Sequence, residues 1–250
     1  MTPSQPLRGH FTKSTNKHVG TKSDLLTCLE EVSDAKTETP VMNCIVLNGA
    51  AIVQMLKLAA SKTFKEYAQQ IFIPYMSKKL QTVSCLDLVW DTYLADSLKG
   101  STRAKWGQGM RRRVVAAAPI PGNWQNFLQV DSNKTELFRF LSAAVMEWFE
   151  DKQLVITDGE AVLSKPLLSD LASLAPCNHE EADSRMLLHA SHAAQHGHHA
   201  ILIRTVDTDV VVLAVSLAQE LQPEDKLWLA FGTGQSFLYL AAHEIAAGLG

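Results

Sequence analysis

Short apolar runs alternate with longer amphipathic stretches along most of this chain. Each short run is bounded by turn-forming or charged residues, which is the pattern of a buried strand. The predicted strands are residues 44–47, 85–90, 154–157, 199–206 and 227–231. Strands that alternate with helices are typical of a parallel sheet, so the pattern predicts an α/β fold.

The amphipathic stretches between these runs predict the helices. They cover residues 50–80, 134–150, 181–196, 210–221 and 236–247. The first is expected to break near Lys62 and at Pro74, since proline lacks a backbone N–H. One of residues 131–133 is expected to cap the second helix. Gly197 is expected to end the third, because glycine is favoured just after a helix.

Two segments lack this alternation. Residues 1–40 are polar, apart from a possible short helix over 24–32, and we expect a disordered or weakly helical segment there. Residues 41–250 are expected to form one domain. Residues 95–132 carry glycine, proline and basic side chains, which predicts an exposed arch or loop inserted into that domain.

Composition is that of an ordinary globular protein. The chain has 250 residues, of which 46% are hydrophobic and 20% charged, enough for a sizeable core. The four cysteines form no C-x-x-C pair, and three lie beside apolar runs, which favours buried free thiols. We expect no secretory signal, because the first residues lack an apolar run, and no membrane span, because no run of about 18 apolar residues occurs. We therefore expect an intracellular protein of the nucleus or cytoplasm, without a membrane partner.

Local charge is more informative than the formal net charge of −3. No acidic residue occurs between Asp96 and Asp131, and this stretch holds Lys99, Arg103, Lys105, Arg111, Arg112 and Arg113. Such side chains neutralise phosphates, and Trp106 and Trp124 could stack on bases. The segment therefore predicts nucleic-acid binding, DNA or RNA. A solvated loop and a nuclear localisation signal are the alternatives.

Acidic residues follow the predicted strands. Asp91 and Asp207 come directly after two strands, Asp209 lies two residues further, and Glu181 and Asp183 open a helix. Because ligands of parallel sheets bind beyond the carboxyl ends of the strands, these five side chains are expected to converge. Grouped carboxylates repel each other unless a cation binds, and oxygen ligands suit Mg²⁺ or Mn²⁺. Two such ions can support phosphodiester cleavage.

A simpler interpretation of the same acids is structural. Carboxylates at helix N-termini accept hydrogen bonds from free backbone N–H groups and interact favourably with the helix dipole. Asp207, Asp209, Glu181 and Asp183 could each serve only that purpose.

Three short motifs resemble those of the flap-endonuclease superfamily within the PIN-like nucleases. Ala175-Pro176 followed by Glu181-Ala182-Asp183 is similar to its "AP…EAEA" signature. Residues 205–209 (TVDTD) resemble its second acidic motif, and residues 89–91 (VWD) its "FDG" strand, which precedes a basic gateway segment. The resemblance implies a three-layer α/β/α sandwich with a central, mainly parallel sheet. It also implies metal-dependent hydrolysis, with Asp91, Glu181, Asp183, Asp207 and Asp209 as catalytic metal ligands.

A wider pattern resembles an uncharacterised animal family often found near mobile elements. Its hallmarks match residues 179–185 (HEEADSR), 206–213 (VDTDVVVL) and a basic block over residues 103–124. This likeness extends over roughly residues 42–250.

The chain departs from the nuclease pattern at two places. Asn48 stands where the first strand of these nucleases ends in an aspartate, and an amide oxygen brings no charge to a metal. The "GCD" motif of relatives has no counterpart, so we expect a C-terminally incomplete domain. The competing functions are a nuclease impaired by these changes, an inactive nucleic-acid-binding or protein-interaction module, and a phosphatase or nucleotide-binding domain. The basic segment argues against the last.

Two further motifs suggest little chemistry. His189, His192, His196, His198 and His199 cluster near a helix end, where a solvent-facing position is favoured over a zinc site formed by His192 and His196. Residues 232–236 (GTGQS) lack the lysine and spacing of a phosphate-binding loop. They predict a strand-to-helix turn capped by Ser236.

Overall fold

A seven-stranded sheet forms the centre of the computed structural model, which describes residues 27–29, 38–93 and 109–249. The strands lie in the order β4-β3-β2-β1-β5-β6-β7. Their bounds are β1 Cys44–Asn48, β2 Cys85–Val89, β3 Gln153–Asp158, β4 Ala161–Lys165, β5 Ala200–Thr205, β6 Lys226–Phe231 and β7 Leu238–Ala241. The five predicted strands are all present, close to their predicted bounds.

Helices connect these strands and cover both faces of the sheet. In the described residues they are α1 Gly49–Met55, α2 Phe64–Tyr67, α3 Ile73–Leu80, α4 Trp124–Leu128, α5 Asp131–Trp148, α6 Ala182–Gln195, α7 Thr208–Ala218 and α8 Ala242–Leu249. A π-helical turn, Ala68–Phe72, joins α2 to α3. The predicted break near Lys62 is confirmed, whereas Pro74 does not end a helix. It lies in the first turn of α3, directly after the π-helical turn Ala68–Phe72, so the helix is distorted beside the proline but continues through it.

The chain changes its direction of travel across the sheet at β1. This strand pairs in parallel with β2 on one side and with β5 on the other. β2 also pairs in parallel with β3, and β5 with β6, whereas the edge strands β4 and β7 are antiparallel. In open parallel sheets, the strands that flank such a reversal leave a crevice beyond their carboxyl ends. Here that crevice lies between β1 and β5.

Alternation along β1 divides the core into two layers. Ile45 and Leu47 are buried in a cluster with side chains of α2, α3 and α5. Cys44 and Val46 point to the opposite face and are buried in a second cluster with α6, α7 and α8. Burying each large apolar side chain contributes about 1.5–3 kcal/mol, so both layers stabilise the sheet. The expected α/β architecture with a mainly parallel sheet is confirmed.

The predicted helix over residues 236–247 is wrong in its first half. Leu238–Ala241 forms β7, which pairs with β6, and the helix begins only at Ala242. Ser236 caps no helix but lies in a 3-10 turn of this hairpin. Gly232 has a φ of +80°, and a Cβ there would lie 2.2 Å from the carbonyl oxygen of Ser236. The tight turn therefore requires glycine.

The basic segment over 95–132 differs in part from the predicted arch. Residues 94–108 lie outside the described part of the chain, and residues 109–123 carry no regular helix or strand. Residues 124–128 form α4, which buries Trp124, Phe127 and Leu128 in the core. Trp124 is therefore unable to stack on bases as predicted. α5 begins at Asp131 after Val130, so none of residues 131–133 is its cap.

The cysteines and the N-terminal residues agree with their predictions where they are described. Cys44, Cys85 and Cys177 are buried free thiols, and Cys28 is exposed. Residues 27–29 are helical, within the helix predicted over 24–32, and the rest of that helix and residues 1–26 lie outside the described residues. Among the helices described, none has the length and apolar character needed to span a membrane.

Candidate metal centre at the strand ends

Side chains with oxygen atoms follow three adjacent strands at the crevice. Asn48 is the last residue of β1, Asp91 comes shortly after β2, and Asp207 comes shortly after β5. The three strands are parallel neighbours, so these residues leave the sheet at the same edge. All three are partly buried.

Backbone and side-chain hydrogen bonds attach the start of α6 to the end of β2. The N–H of Ala182 donates to Oδ1 of Asp91 over 2.9 Å, and the N–H of Thr92 donates to the carbonyl of Glu180 over 2.8 Å. Tyr93 donates its hydroxyl to Oδ2 of Asp91 at 3.3 Å. Asp183 occupies the first turn of α6, so these bonds hold it at the same edge as Asp91.

Asn48 contacts Asp183 directly. Its side-chain amide Nδ2 donates to Oδ1 of Asp183 over 3.4 Å. Its amide oxygen accepts from the N–H of Ala51 at 2.9 Å and thereby caps α1. The amide oxygen is thus engaged with the backbone, and the amide N–H group faces the carboxylate.

The acidic groups perturb one another. Burial raises the pKa of Asp183 above its ordinary value, and the charges of Asp207, Asp91 and Glu181 raise it further. Burial also raises the pKa of Asp91, although Ala182 N–H, Lys134 and Tyr93 oppose this. The charges of Asp91, Asp207 and Glu181 therefore all act on Asp183, and the charge of Glu181 also acts on Asp91.

The two remaining predicted acids are more exposed. Glu181 precedes α6 with an exposed side chain, and its charge acts on both Asp91 and Asp183. Asp209 is exposed in the first turn of α7, and its N–H donates to Oδ1 of Asp207 at 2.9 Å. Glu181 therefore belongs to the rim of the acidic cluster, and Asp209 lies one residue into the helix that Asp207 caps.

The capping interpretation is also correct for part of this set. Asn48, Asp91 and Asp207 each use one oxygen to accept a backbone N–H at the start of a helix. Capping alone does not explain why Asp91 and Asp207 are charged, because serine or asparagine would cap a helix equally well without repelling Asp183. The unused carboxylate oxygens are hard donors of the kind that Mg²⁺ and Mn²⁺ prefer, although the described donors that lie within 4.8 Å of one another are those of Cys44, Cys85 and Asp87 and not these acids.

The described basic residues are anchored beside this edge by Asn133. This residue is fully buried in the first turn of α5, and its Oδ1 accepts from Nη1 of Arg111 at 3.1 Å and from the N–H of Arg112 at 2.8 Å. Its Nδ2 donates to the carbonyls of Met110 and Phe127, both at 3.0 Å. Arg111 also forms an ion pair with Glu136.

Lys134, at the start of α5, lies between residues 111–113 and the acidic cluster. Its ammonium lies 3.9 Å from the ring centroid of Tyr93, and its charge lowers the pKa of Asp91. The start of α5, with the attached residues 111–113, is therefore on the acidic edge of the sheet. All three arginines are exposed. Lys99, Arg103 and Lys105, like Trp106, lie outside the described residues.

The crevice between the ends of β1 and β5 encloses about 250 Å³ and is mainly apolar; its lining includes Asn48, Arg204 and Thr205 but none of the five acids. The guanidinium of Arg204 donates to the carbonyls of Thr205, Ala230 and Gly232. Sequence reasoning missed this residue because it lies within the predicted strand 199–206. Its position as a charged residue between apolar neighbours in the strand could have indicated it.

A second group of chemically active side chains lies inside the sheet, under α6. The ligand atoms of Cys44, Cys85 and Asp87 all lie within 4.8 Å of one another, so one metal ion could contact all three. Cys85 donates to Oδ1 of Asp87 at 3.3 Å, and Nδ1 of His189 lies 2.7 Å from Oδ2. A hydrogen bond to Cys44, burial and the charge of Asp87 raise the pKa of the Cys85 thiol.

The predicted solvent-facing position is therefore wrong for His189 and His192, which are both buried. His192 lies 3.0 Å from the carbonyl of Asp170, and His196 lies 2.8 Å from the carbonyl of His192. These contacts engage one ring nitrogen of each residue. Asp87 was the sequence signal for the buried Asp87–His189 pair, because an acid in the middle of an apolar strand needs a buried partner.

Comparison with protein-family models and with curated proteins gives no significant match. The function is therefore argued from the geometry of these residues.

Proposed function

We propose that this chain is a PIN-like, flap-endonuclease-like domain that hydrolyses phosphodiester bonds of DNA or RNA with Mg²⁺ or Mn²⁺. Its sheet order and helices on both faces are compatible with the three-layer sandwich of those nucleases. The three motifs that resemble the superfamily all contribute residues to one edge of the sheet.

One observation carries the proposal. The charges of Asp207 and Asp91 both act on Asp183, and Asn48 at the end of β1 donates a hydrogen bond to the same carboxylate. Such a cluster costs stability on its own, and a divalent cation would offset this cost. The crevice at a topological reversal is also where open parallel sheets bind their ligands.

We assign the metal ligands to Asp91, Asp183 and Asp207, with Glu181 and Asp209 at the rim. When bound, two divalent ions would supply an activated water and stabilise the leaving oxygen. The chain's own residues would fix this site: Ala182 N–H orients Asp91, and the N–H of Asp209 orients Asp207. One oxygen of each carboxylate is held by the backbone in this way.

The basic residues support a polyanionic substrate. Arg112 and Arg113 are exposed beside the start of α5, near the acidic edge rather than on a remote surface. Phosphate contacts by such side chains position nucleic acid without reading its sequence. A nucleic-acid partner therefore accounts for both the acidic and the basic residues of this edge.

A second candidate is a catalytically inactive nucleic-acid-binding or protein-interaction module of the same fold. The amide of Asn48 favours it, because the N–H that it donates to Asp183 partly offsets the negative charge without any metal. This module would keep the basic surface and bind nucleic acid without cleaving it.

Cleavage assays separate the two candidates. The purified chain would be incubated with Mn²⁺ and labelled single-stranded DNA, 5′-flap DNA and RNA. A nuclease should lose cleavage in the Asp207→Asn, Asp209→Asn double variant but keep it in Asp151→Asn, which alters an exposed acid just before β3 at the opposite edge. Binding without cleavage would favour the inactive module. Cleavage that survives in the double variant would contradict the assigned site.

Binding titrations test the basic surface separately. Arg112→Gln should weaken DNA binding and reduce the salt dependence by about one unit of slope, whereas Arg111 is spared because it supports the fold. Lys226→Gln is a matched control, since Lys226 is exposed at the amino end of β6. Equal effects of the two variants would exclude a specific role for Arg112.

A further inference from the structure

The group under α6 is separate from the acidic edge. Cys44 and Cys85 are the first residues of β1 and β2, and Asp87 lies in the middle of β2. Four residues of strand, about 13 Å, separate Cys44 from Asn48. The group is 0% to 1% exposed, so it belongs to the interior rather than to the crevice.

We propose that Cys44, Cys85 and Asp87 bind a thiophilic divalent cation, of which Zn²⁺ is the typical case, as a structural site inside the fold.

The spacing of the three donors suits one small ion. Tetrahedral Zn²⁺ with bonds of about 2.0–2.3 Å separates its ligand atoms by roughly 3.5–3.8 Å. The sulfur and oxygen atoms already lie within 4.8 Å of one another, so rotamer adjustments rather than backbone movements would bring them into place. Cys44 and Cys85 are paired positions of neighbouring parallel strands, which fixes both thiols on one face of the sheet.

His189 adds the orienting partner that buried metal-bound carboxylates usually have. Its Nδ1 lies 2.7 Å from Oδ2 of Asp87, which leaves Oδ1 directed towards the Cys85 thiol. Its Nε2 has no hydrogen-bond partner among the described residues, although the side chain is only 1% exposed.

Charge balance also favours an ion here. Burying the Asp87 carboxylate is expensive unless positive charge lies beside it. Two thiolates and one carboxylate would carry three formal negative charges, and a divalent cation would offset two of them. Thiolate donors favour Zn²⁺ over Mg²⁺ or Mn²⁺, so this site would discriminate against the ions proposed for the acidic edge.

A buried site of this kind is expected to take up its ion during folding, because the native structure offers no exposed donor. The test is therefore to unfold the whole chain, refold it with a phosphine reductant, which contributes no thiolate, and one equivalent of Co²⁺, and record the absorption spectrum. A thiolate-to-Co²⁺ charge-transfer band, displaced by Zn²⁺, is the expected result. A refolded chain without that band would overturn the proposal.

Cysteine variants identify the ligands. Cys85→Ser and Cys44→Ser should lose the band, whereas Cys177→Ser and Cys28→Ser, a buried and an exposed thiol elsewhere, should keep it. His189→Gln should keep the band but weaken Zn²⁺ affinity roughly 10- to 100-fold, the usual effect of removing an orienting partner. A band that survives in folded Cys85→Ser, or disappears equally in Cys177→Ser, would contradict the assignment.

If a cysteine variant fails to fold, the presence or absence of the Co²⁺ band in the refolded wild type still decides the proposal. The Asp207→Asn, Asp209→Asn variant should show the same Co²⁺ band as the wild type, because the buried site does not depend on the proposed nuclease site.

Discussion

The side-chain amide of Asn48 donates to a carboxylate oxygen of Asp183 over 3.4 Å, so an uncharged donor faces the centre of an acidic cluster. This contact partly offsets the repulsion that Asp207 and Asp91 exert on Asp183. The same side chain caps α1 through its oxygen. Asn48 therefore reduces the need for a cation while it maintains the local fold.

Asn48→Asp is expected to reverse this balance. Aspartate caps a helix as well as asparagine does, so the substitution mainly adds a charge. Without metal the variant should lose roughly 1–2 kcal/mol of stability, the free energy of a pKa shift of about one unit. With Mn²⁺ it should be stabilised more than the wild type, because the ion binds the native state more tightly. Thermal unfolding in EDTA and in Mn²⁺ measures both effects.

Asn48→Ser serves as the control for this experiment. Serine keeps a capping oxygen but brings neither the amide N–H nor a charge. It should show no gain in Mn²⁺-dependent stabilisation. If Asn48→Asp also shows none, Asn48 does not occupy a metal-ligand position.

Asp183→Asn should stabilise the metal-free protein at neutral pH and abolish stabilisation by Mn²⁺. The pKa of Asp183 is raised, so its ionised form is disfavoured in the native state; this penalty is complete above the raised pKa and disappears as the pH falls to the ordinary carboxyl pKa. The gain over the wild type should be up to about 1 kcal/mol near pH 7.5 and should shrink as the pH falls through the raised pKa towards the ordinary carboxyl pKa. Urea unfolding at several pH values checks the trend, and a gain that grows on acidification would contradict it.

Gly49→Ala should destabilise the fold where β1 meets α1. A Cβ at this position would lie 2.4–2.7 Å from ring atoms of Trp90, a buried side chain that must then shift. Overpacking of this kind costs about 1–3 kcal/mol. Gly122→Ala is the matched control, since nothing lies within 4 Å of its added Cβ. Urea unfolding should show a loss of stability for Gly49→Ala and little change for the control.

The buried Asp87–His189 pair should show strong non-additivity. Asp87→Leu alone leaves the imidazole without its partner and is expected to cost about 3–5 kcal/mol. Adding His189→Leu removes the stranded polar group, so the double variant should be less destabilised than the sum of the two single variants. Unfolding in EDTA measures the pair without any ion, and strict additivity would show that the two side chains are not coupled.

Much of the fold followed from local pattern. The five central strands are apolar runs buried on both sides, and such runs are readily recognised. The two edge strands were missed for different reasons. β4 is largely exposed and has no long apolar run, whereas Leu238–Ala241 lies within a stretch of good helix formers. Only pairing with β6 makes β7 a strand, and such pairing is not encoded locally.

The acidic edge was predictable because parallel topology brings strand ends together. The buried group was not, because no local pattern shows that Asp87 and His189, 102 positions apart, meet under α6. The density of histidines near a helix end favoured a solvent-facing interpretation. Burial of His189 and His192 depends instead on which face of α6 packs on the sheet.

The central position of β1 has a consequence for biosynthesis. Asn43 and Ala200, which hydrogen-bond where β1 meets β5, are 157 positions apart in the chain. Most of the polypeptide must therefore be synthesised before β5, the second neighbour of β1, is available for pairing. Until then β1 has one open flank, and Asn48 and Asp91 lack Asp207. Nascent chains halted before β5 should consequently be protease-sensitive, because contacts of such long separation form late.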